Sequence, residues 1–92
     1  MGLRFSWNSE KAASNTSKHD VAFEEASTVF GDPLSVTVLD PDHAEDESRF
    51  VIVGKSFQGR LIVVVHLELE DSIRIISARL ATRREREAYE QG

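Results

Sequence analysis

Two runs of β-branched and aliphatic residues, Arg49 to Phe57 and Arg60 to Leu69, are separated only by Gln58-Gly59. A two-residue connection with glycine second predicts a tight antiparallel hairpin. Pairing Phe57 with Arg60 then sets the register by subtraction. Phe50, Ile52, Gly54, Ser56, Leu61, Val63, Val65 and Leu67 fall on one face, expected to be the core side. Arg49, Val51, Val53, Lys55, Phe57, Arg60, Ile62, Val64, His66 and Glu68 fall on the other. That second face mixes an apolar floor with Arg60, Lys55 and His66, so part of it is expected to stay wet. Its apolar part (Val51, Val53, Ile62, Val64) needs a cover, because a bare patch of that size marks an interface.

The segments around the hairpin complete a small α+β plan. Asn8 reads as the N-cap of a short, exposed helix over residues 9–18, with Phe5 and Trp7 anchoring the chain against the core. Ala22, Ala26, Val29 and Phe30 share one helical face across residues 21–30, and Gly31-Asp32-Pro33 ends that helix. Leu34, Val36 and Val38 alternate as a strand, and residues 40–47 form an acidic loop expected to be solvated. Glu70-Asp71 turns into a last strand, Ser72 to Ala78. Thr82-Arg83-Arg84-Glu85 is a capping-box pattern that opens a final helix to about Glu90. The expectation is a single domain over residues 1–92: two N-terminal helices, a four-stranded antiparallel meander sheet and a C-terminal helix.

Charge narrows the chemistry. The net charge of -5, taken as one sum, argues against a nucleic-acid binder. Resolved by segment, residues 19–50 carry nine acids against Arg49 alone, whereas residues 73–92 carry five arginines against three glutamates. Arg83, Arg84 and Arg86 alternate with Glu85, Glu87 and Glu90 and read first as a solvated helix face. Arg74 and Arg79 flank the apolar stretch Ile75-Ile76-Ser77-Ala78. A phosphate role accounts for them, as does an ion pair with Glu68, Glu70 or a helix acid.

The absence of cysteine excludes disulfides, thiolate metal sites and thiol nucleophiles, and it suits a reducing cytosol. His19, His43 and His66 lack metal-ligand spacing, and the loop around His43 lacks the order of a calcium site, so no metal is expected. There is no P-loop, GxSxG or GxGxxG. No apolar leader or spanning segment is visible, so a cytoplasmic protein without membrane contact is expected. What remains is acid/base and electrostatic chemistry from Arg, His, Tyr and carboxylates. His19, preceded by Lys18 between two helices, suits proton transfer near neutrality; an interhelical hydrogen bond is the plainer reading.

Two blocks carry a family resemblance. Phe5-Ser6-Trp7-Asn8, Lys11-Ala12, Asn15, Lys18-His19-Asp20-Val21, Phe23-Glu24-Glu25-Ala26, Val29-Phe30 and Asp32-Pro33 resemble the N-terminal half of the BrnT toxin family. Arg49, Gly54, Gly59-Arg60-Leu61, Arg74-Ile75-Ile76-Ser77-Ala78-Arg79, Arg84-Glu85 and Tyr89-Glu90 resemble its second half. The resemblance implies a RelE-like toxin of a type II toxin-antitoxin system: a metal-independent endoribonuclease, without cofactor, that cleaves RNA and inhibits translation. It implies a BrnA-like ribbon-helix-helix antitoxin as partner, DNA contact only through that antitoxin, and a toxin dimer within the complex. The antitoxin, the final helix or a second toxin subunit would then cover the apolar sheet face.

Carried over residue by residue, Arg60 and Arg79 match the family's sheet arginines and are expected to stabilise phosphate charge, with Arg74 in support. His19 and Tyr89 match family positions and are the acid/base candidates. Lys55 and Lys18 complete the expected substrate contacts, and His66 matches nothing in the pattern. Asp20 stands where glycine is usual and Ala22 where a small polar cap is usual. Two other readings remain open at this level. One is a catalytically degenerate module that binds a DNA-binding antitoxin and modulates operator binding, since no residue declares itself a base by spacing. The other is a general RNA-binding domain, for which the strands offer only Phe50 and Phe57 as stacking surfaces.

Overall fold

The computed structural model describes residues 3–43 and 45–92. In chain order its elements are β1 (Phe5–Ser6), α1 (Ser9–His19), α2 (Phe23–Ser27), β2 (Val36–Leu39), β3 (Arg49–Lys55), β4 (Leu61–Glu68), β5 (Ile73–Leu80) and α3 (Arg83–Gln91). Short 3-10 turns occupy Thr28–Gly31 and Pro41–His43. The helix expected to run to Phe30 tightens after Ser27 into the first of these.

One sheet has the strand order β1-β5-β4-β3-β2. Strands β2 to β5 form the expected antiparallel meander. The chain also adds β1 parallel to β5, Phe5 beside Ile73 and Ser6 beside Arg74. The sheet is therefore five-stranded and mixed, not four-stranded and antiparallel. A two-residue strand is too short to show alternation in sequence. It is held by the Ile73 N–H, which donates to the Arg4 carbonyl at 2.7 Å.

The hairpin register also differs from the expectation. Gly54 lies opposite Ile62 and Lys55 opposite Leu61, so the turn spans three residues and not two. The Gly59 N–H donates to the Ser56 carbonyl and the Ser56 N–H to the Arg60 carbonyl, both at 2.9 Å. Gly59 itself sits at φ +81°, which makes a type I turn followed by a left-handed residue. A slip of one residue moves every β4 side chain to the opposite face. Ile62, Val64 and His66 thus lie under the helices, while Val63, Val65 and Leu67 join Val51 and Val53 on the open face.

A bulge in β5 has the opposite consequence. Ser77 pairs with Val65 and Ile75 with His66, leaving Ile76 as the extra residue. Ile75 and Ala78 therefore both face the core. Arg74 and Arg79, five positions apart, share the open face although strict alternation would separate them.

The core lies between that helix face and the α2 region: Val21, Phe23, Ala26 and Val29 pack on Ile52, Ile62, Val64, Ile75 and Ala78. Trp7 meets Phe23 edge-on at 5.9 Å and Phe5 meets Phe30 at 5.2 Å, as their anchoring role required. Gly54 permits the closest approach. A Cβ there would stand 2.9 Å from both Ser35 Cβ and Val29 Cγ1. His66, expected on a wet face, is fully buried between Phe30 and Phe50, with Nε2 3.2 Å from the Glu68 carboxylate. No described helix is long and apolar enough to cross a membrane.

The caps follow the sequence. Asn8 accepts the Glu10 and Lys11 N–H groups, and Thr82 with Glu85 forms both halves of the capping box. Ala22 caps α2 with no side-chain hydrogen bond. Asp20 closes α1 in the left-handed region at φ 57°, the conformation that explains why glycine suits this position.

Candidate active site

β1 covers β5 only at Ile73 and Arg74, so from the bulge onward the outer edge of β5 is faced by α1. Asn15, buried on α1, closes that edge as a strand would. Its amide donates to the Ala78 carbonyl at 2.8 Å and to the Val21 carbonyl at 3.0 Å, and its oxygen accepts the Ala78 N–H at 3.1 Å. One turn on, Lys18 and His19 stand at the exposed end of α1. With Lys11, Asn15, Ile76 and Ser77 they line a cleft of about 200 Å³.

A second cleft, about 510 Å³, opens on the other side of Ser77. Val51, Val53, Val63 and Val65 form its floor, with Arg79 and Arg49 on its walls. Ser77 lines both clefts, so the bulge brings the cations of α1 and the guanidinium of Arg79 to the two sides of one residue.

Arg79 is held in a fork. Its two terminal nitrogens donate to the two Glu85 oxygens at 2.8 and 2.9 Å. The guanidinium, against the cost of burial and with help from the Thr82 N–H, lowers the Glu85 carboxyl to about 2. The same pairing raises Arg79. This is the ion pair with a helix acid that the sequence left open. Arg74 forms no ion pair among the described residues. Arg83 and Arg86 meet Glu87 and Glu90 on the exposed face of α3, the solvated arrangement expected for that helix.

The other candidates lie elsewhere. Arg60 is on the helix side of the sheet, where Nε and Nη2 reach the Glu25 carboxylate at 2.9 and 2.5 Å. Nη2 also donates to the Asp20 carbonyl at 3.0 Å. Arg60 thus braces the residue that follows His19. Arg60 is also the first cause of the lowered Glu25 carboxyl, outweighing burial, with the Ser56 hydroxyl adding a bond at 2.6 Å.

Tyr89 donates to Asp32 at 2.5 Å, and that bond, with burial, pushes the phenol up to about 12. Such a phenol supplies no base near neutrality. Burial raises Asp32, but the Lys55 N–H at 2.7 Å, Tyr89 and the Leu34 N–H outweigh it. Lys55 and Tyr89 therefore meet at Asp32 near the far end of α3, and Tyr89 shares with Glu85, the partner of Arg79, a cleft on the open face of the sheet.

Several structuring residues escaped the sequence reading. Glu25 falls at i+3 from Ala22 and i−4 from Val29, so a carboxylate on an apolar stripe was the available signal. Asn15 stands likewise at i+3 from Ala12. Asp32 before Pro33 is an Asx-turn pattern. Asp40, assigned to a solvated loop, is buried. Burial raises its carboxyl, and the Asp42 N–H, the Arg49 guanidinium at 2.9 Å and His43 at 3.2 Å outweigh that. Among the described residues no three His, Asp or Glu side chains come together as a metal site.

The model of the ribonuclease toxin BrnT of type II toxin-antitoxin systems matches residues 7–85. The chain belongs to the BrnT ribonuclease toxin family. The crystal structure of the Brucella abortus ribonuclease toxin BrnT superposes with a TM-score of 0.69 at 16% identity, covering 89% of this chain and 100% of that one. Likeness at that identity speaks for the fold. No curated protein sequence matches. The stretch matched to the BrnT family contains Lys18, His19, Arg60, Arg74 and Arg79, and it ends before Tyr89.

Proposed function

We propose that this BrnT-family toxin is a RelE-like, metal-independent endoribonuclease that cleaves RNA in the cytoplasm and so inhibits translation. A BrnA-like ribbon-helix-helix antitoxin neutralises it, in a complex that holds two toxins and touches DNA only through the antitoxin. The supporting observation is the convergence of Lys18 and His19 from α1 with Ser77 and Arg79 from β5 on the two sides of the bulge.

An RNA backbone laid across Ser77 meets cations on both flanks. His19 takes the 2′-hydroxyl proton, the oxygen attacks the adjacent phosphorus, and the bond to the 5′-oxygen breaks as that oxygen takes a proton from water, giving a cyclic phosphate. Arg79 stabilises the added negative charge, and Arg74, about 15 Å along the same strand face, meets a neighbouring phosphate. Lys18 holds a flanking phosphate. Arg60 is a positioning residue that fixes the backbone after His19, and Tyr89 with Lys55 secures the far end of α3.

Induced expression without the antitoxin should arrest growth. The purified protein should cleave RNA, with Arg79→Ala losing about 10²–10³ of the rate and His19→Ala about 10²–10⁴. Equal background cleavage by the intact protein and Arg79→Ala would favour the second reading, a degenerate module that only binds its antitoxin. One observation speaks for that alternative. Arg60, Arg79 and Tyr89 each already hold a carboxylate of this same chain.

A further inference from the structure

Among the described residues nothing pairs with the outer edge of the sheet. β2 pairs only with β3, and all four of its residues are exposed. Leu34, Val36, Val38 and Leu39 supply half of the large apolar side chains with such exposure among the described residues. Residues 34–39 contain no charge, and no proline interrupts Val36–Leu39. Natural edges are blunted by such features, and an edge without them is a template for another strand.

The direction of the free groups follows from one bond. The Asp40 N–H donates inward to the Arg49 carbonyl at 2.9 Å. Peptide groups alternate along a strand, so Val38 and Val36 also point inward, and the N–H and C=O of Thr37 and Leu39 point away from the sheet. Clefts flank β2 on both faces. Val36, Val38 and Tyr89 line one of about 190 Å³ on the open side, and Thr37 and Phe30 line one of about 500 Å³ on the helix side. An added strand would send alternate side chains into each.

Charge selects the occupant. Residues 32–47 carry six acids and no Lys or Arg, and these acids stand at both ends of β2. A second copy pairing here would set acidic end against acidic end. We infer that β2 is the docking edge for the antitoxin, which adds an extended segment of alternating apolar residues with Lys or Arg at both ends. The inference takes the existence of an antitoxin from the toxin reading, but its test does not depend on RNA cleavage.

The probe is the product of the neighbouring antitoxin gene, purified in complex with the full chain. Amide hydrogen exchange at Thr37 and Leu39 should be slowed by about tenfold or more in the complex, and added salt should weaken the complex. Thr37→Pro removes only an outward N–H, which an edge strand tolerates. It should leave RNA cleavage unchanged and abolish neutralisation. If that variant fails to fold, Thr37→Lys should weaken the complex through its ammonium against the basic ends of the added strand. Unchanged exchange at both amides in a formed complex, or failure of the two proteins to associate, would overturn the inference. Protection that instead rises with the concentration of toxin alone would assign the edge to a second copy. Protection in the complex together with an inactive toxin would leave the docking edge standing and remove the ribonuclease reading.

Discussion

Asp20 holds φ 57° and ψ 35° at the end of α1, a conformation that costs an L-residue free energy and glycine none. Asp20→Gly should therefore raise stability by about 0.5–1 kcal/mol, read as a higher urea midpoint. Ala22→Ser should add a cap to α2 worth about 0.5–1 kcal/mol in the same measurement. Both sites were visible in the sequence as departures from the family pattern, because backbone demands show in residue type. Asn15 and Glu25 were not, because a polar residue on an apolar helical stripe names no partner until the tertiary contact exists. The partner of Asn15 is Ala78, 63 positions away. Asn15→Ala would leave the Ala78 N–H and C=O and the Val21 C=O without it. A loss of about 3 kcal/mol in urea unfolding is expected.

Among the elements, helix and strand identities were legible from periodicity and caps, and the register between them was not. The sequence shows Gln58-Gly59 as a turn, but the left-handed Gly59 closes a three-residue loop that also includes Phe57. That single residue reverses the faces of β4 and carries His66 from solvent into the core. The β5 bulge is equally silent in composition, yet it alone sets Arg74 and Arg79 on one face. Gly54→Ala tests the packing beneath. Its new methyl group meets Ser35 and Val29, and stability should fall by about 1–3 kcal/mol.

The attachment of α3 should be acid-sensitive. The Glu85 carboxyl lies at about 2 in the fold against an ordinary 4.5. A depressed value stabilises the fold fully above the ordinary pKa, and the contribution is lost as pH falls from about 4.5 through about 2. Backbone resonances of Thr82 to Glu87 should shift in that window, and Glu85→Gln should remove the step.

For the molecule as a whole, the charge of -5 no longer opposes an RNA substrate. Glu25 and Asp40 spend their charge on Arg60 and Arg49, and Asp32 with the acids of residues 42–47 lies at the ends of the bare sheet edge. Lys18, Arg74 and Arg79 are the proposed phosphate contacts. Each contributes about 0.7 to the salt slope on a single strand, so the logarithm of RNA affinity should fall with a slope of about −2 against the logarithm of salt. A slope twice as steep would mean that RNA tracks a larger cationic surface than this one.

The pairing of β1 with β5 and the grip of Asn15 on Ala78 also impose an order on assembly. Contacts this distant along the chain form late, after the intervening loop has been closed. A nascent chain that has not reached Ile73 carries Lys18 and His19 on a helix with no edge to rest against. The two halves of the cleft meet only when the last strand has been synthesised and has docked. A protein proposed to halt translation therefore acquires its cleft only after β5 has left the ribosome.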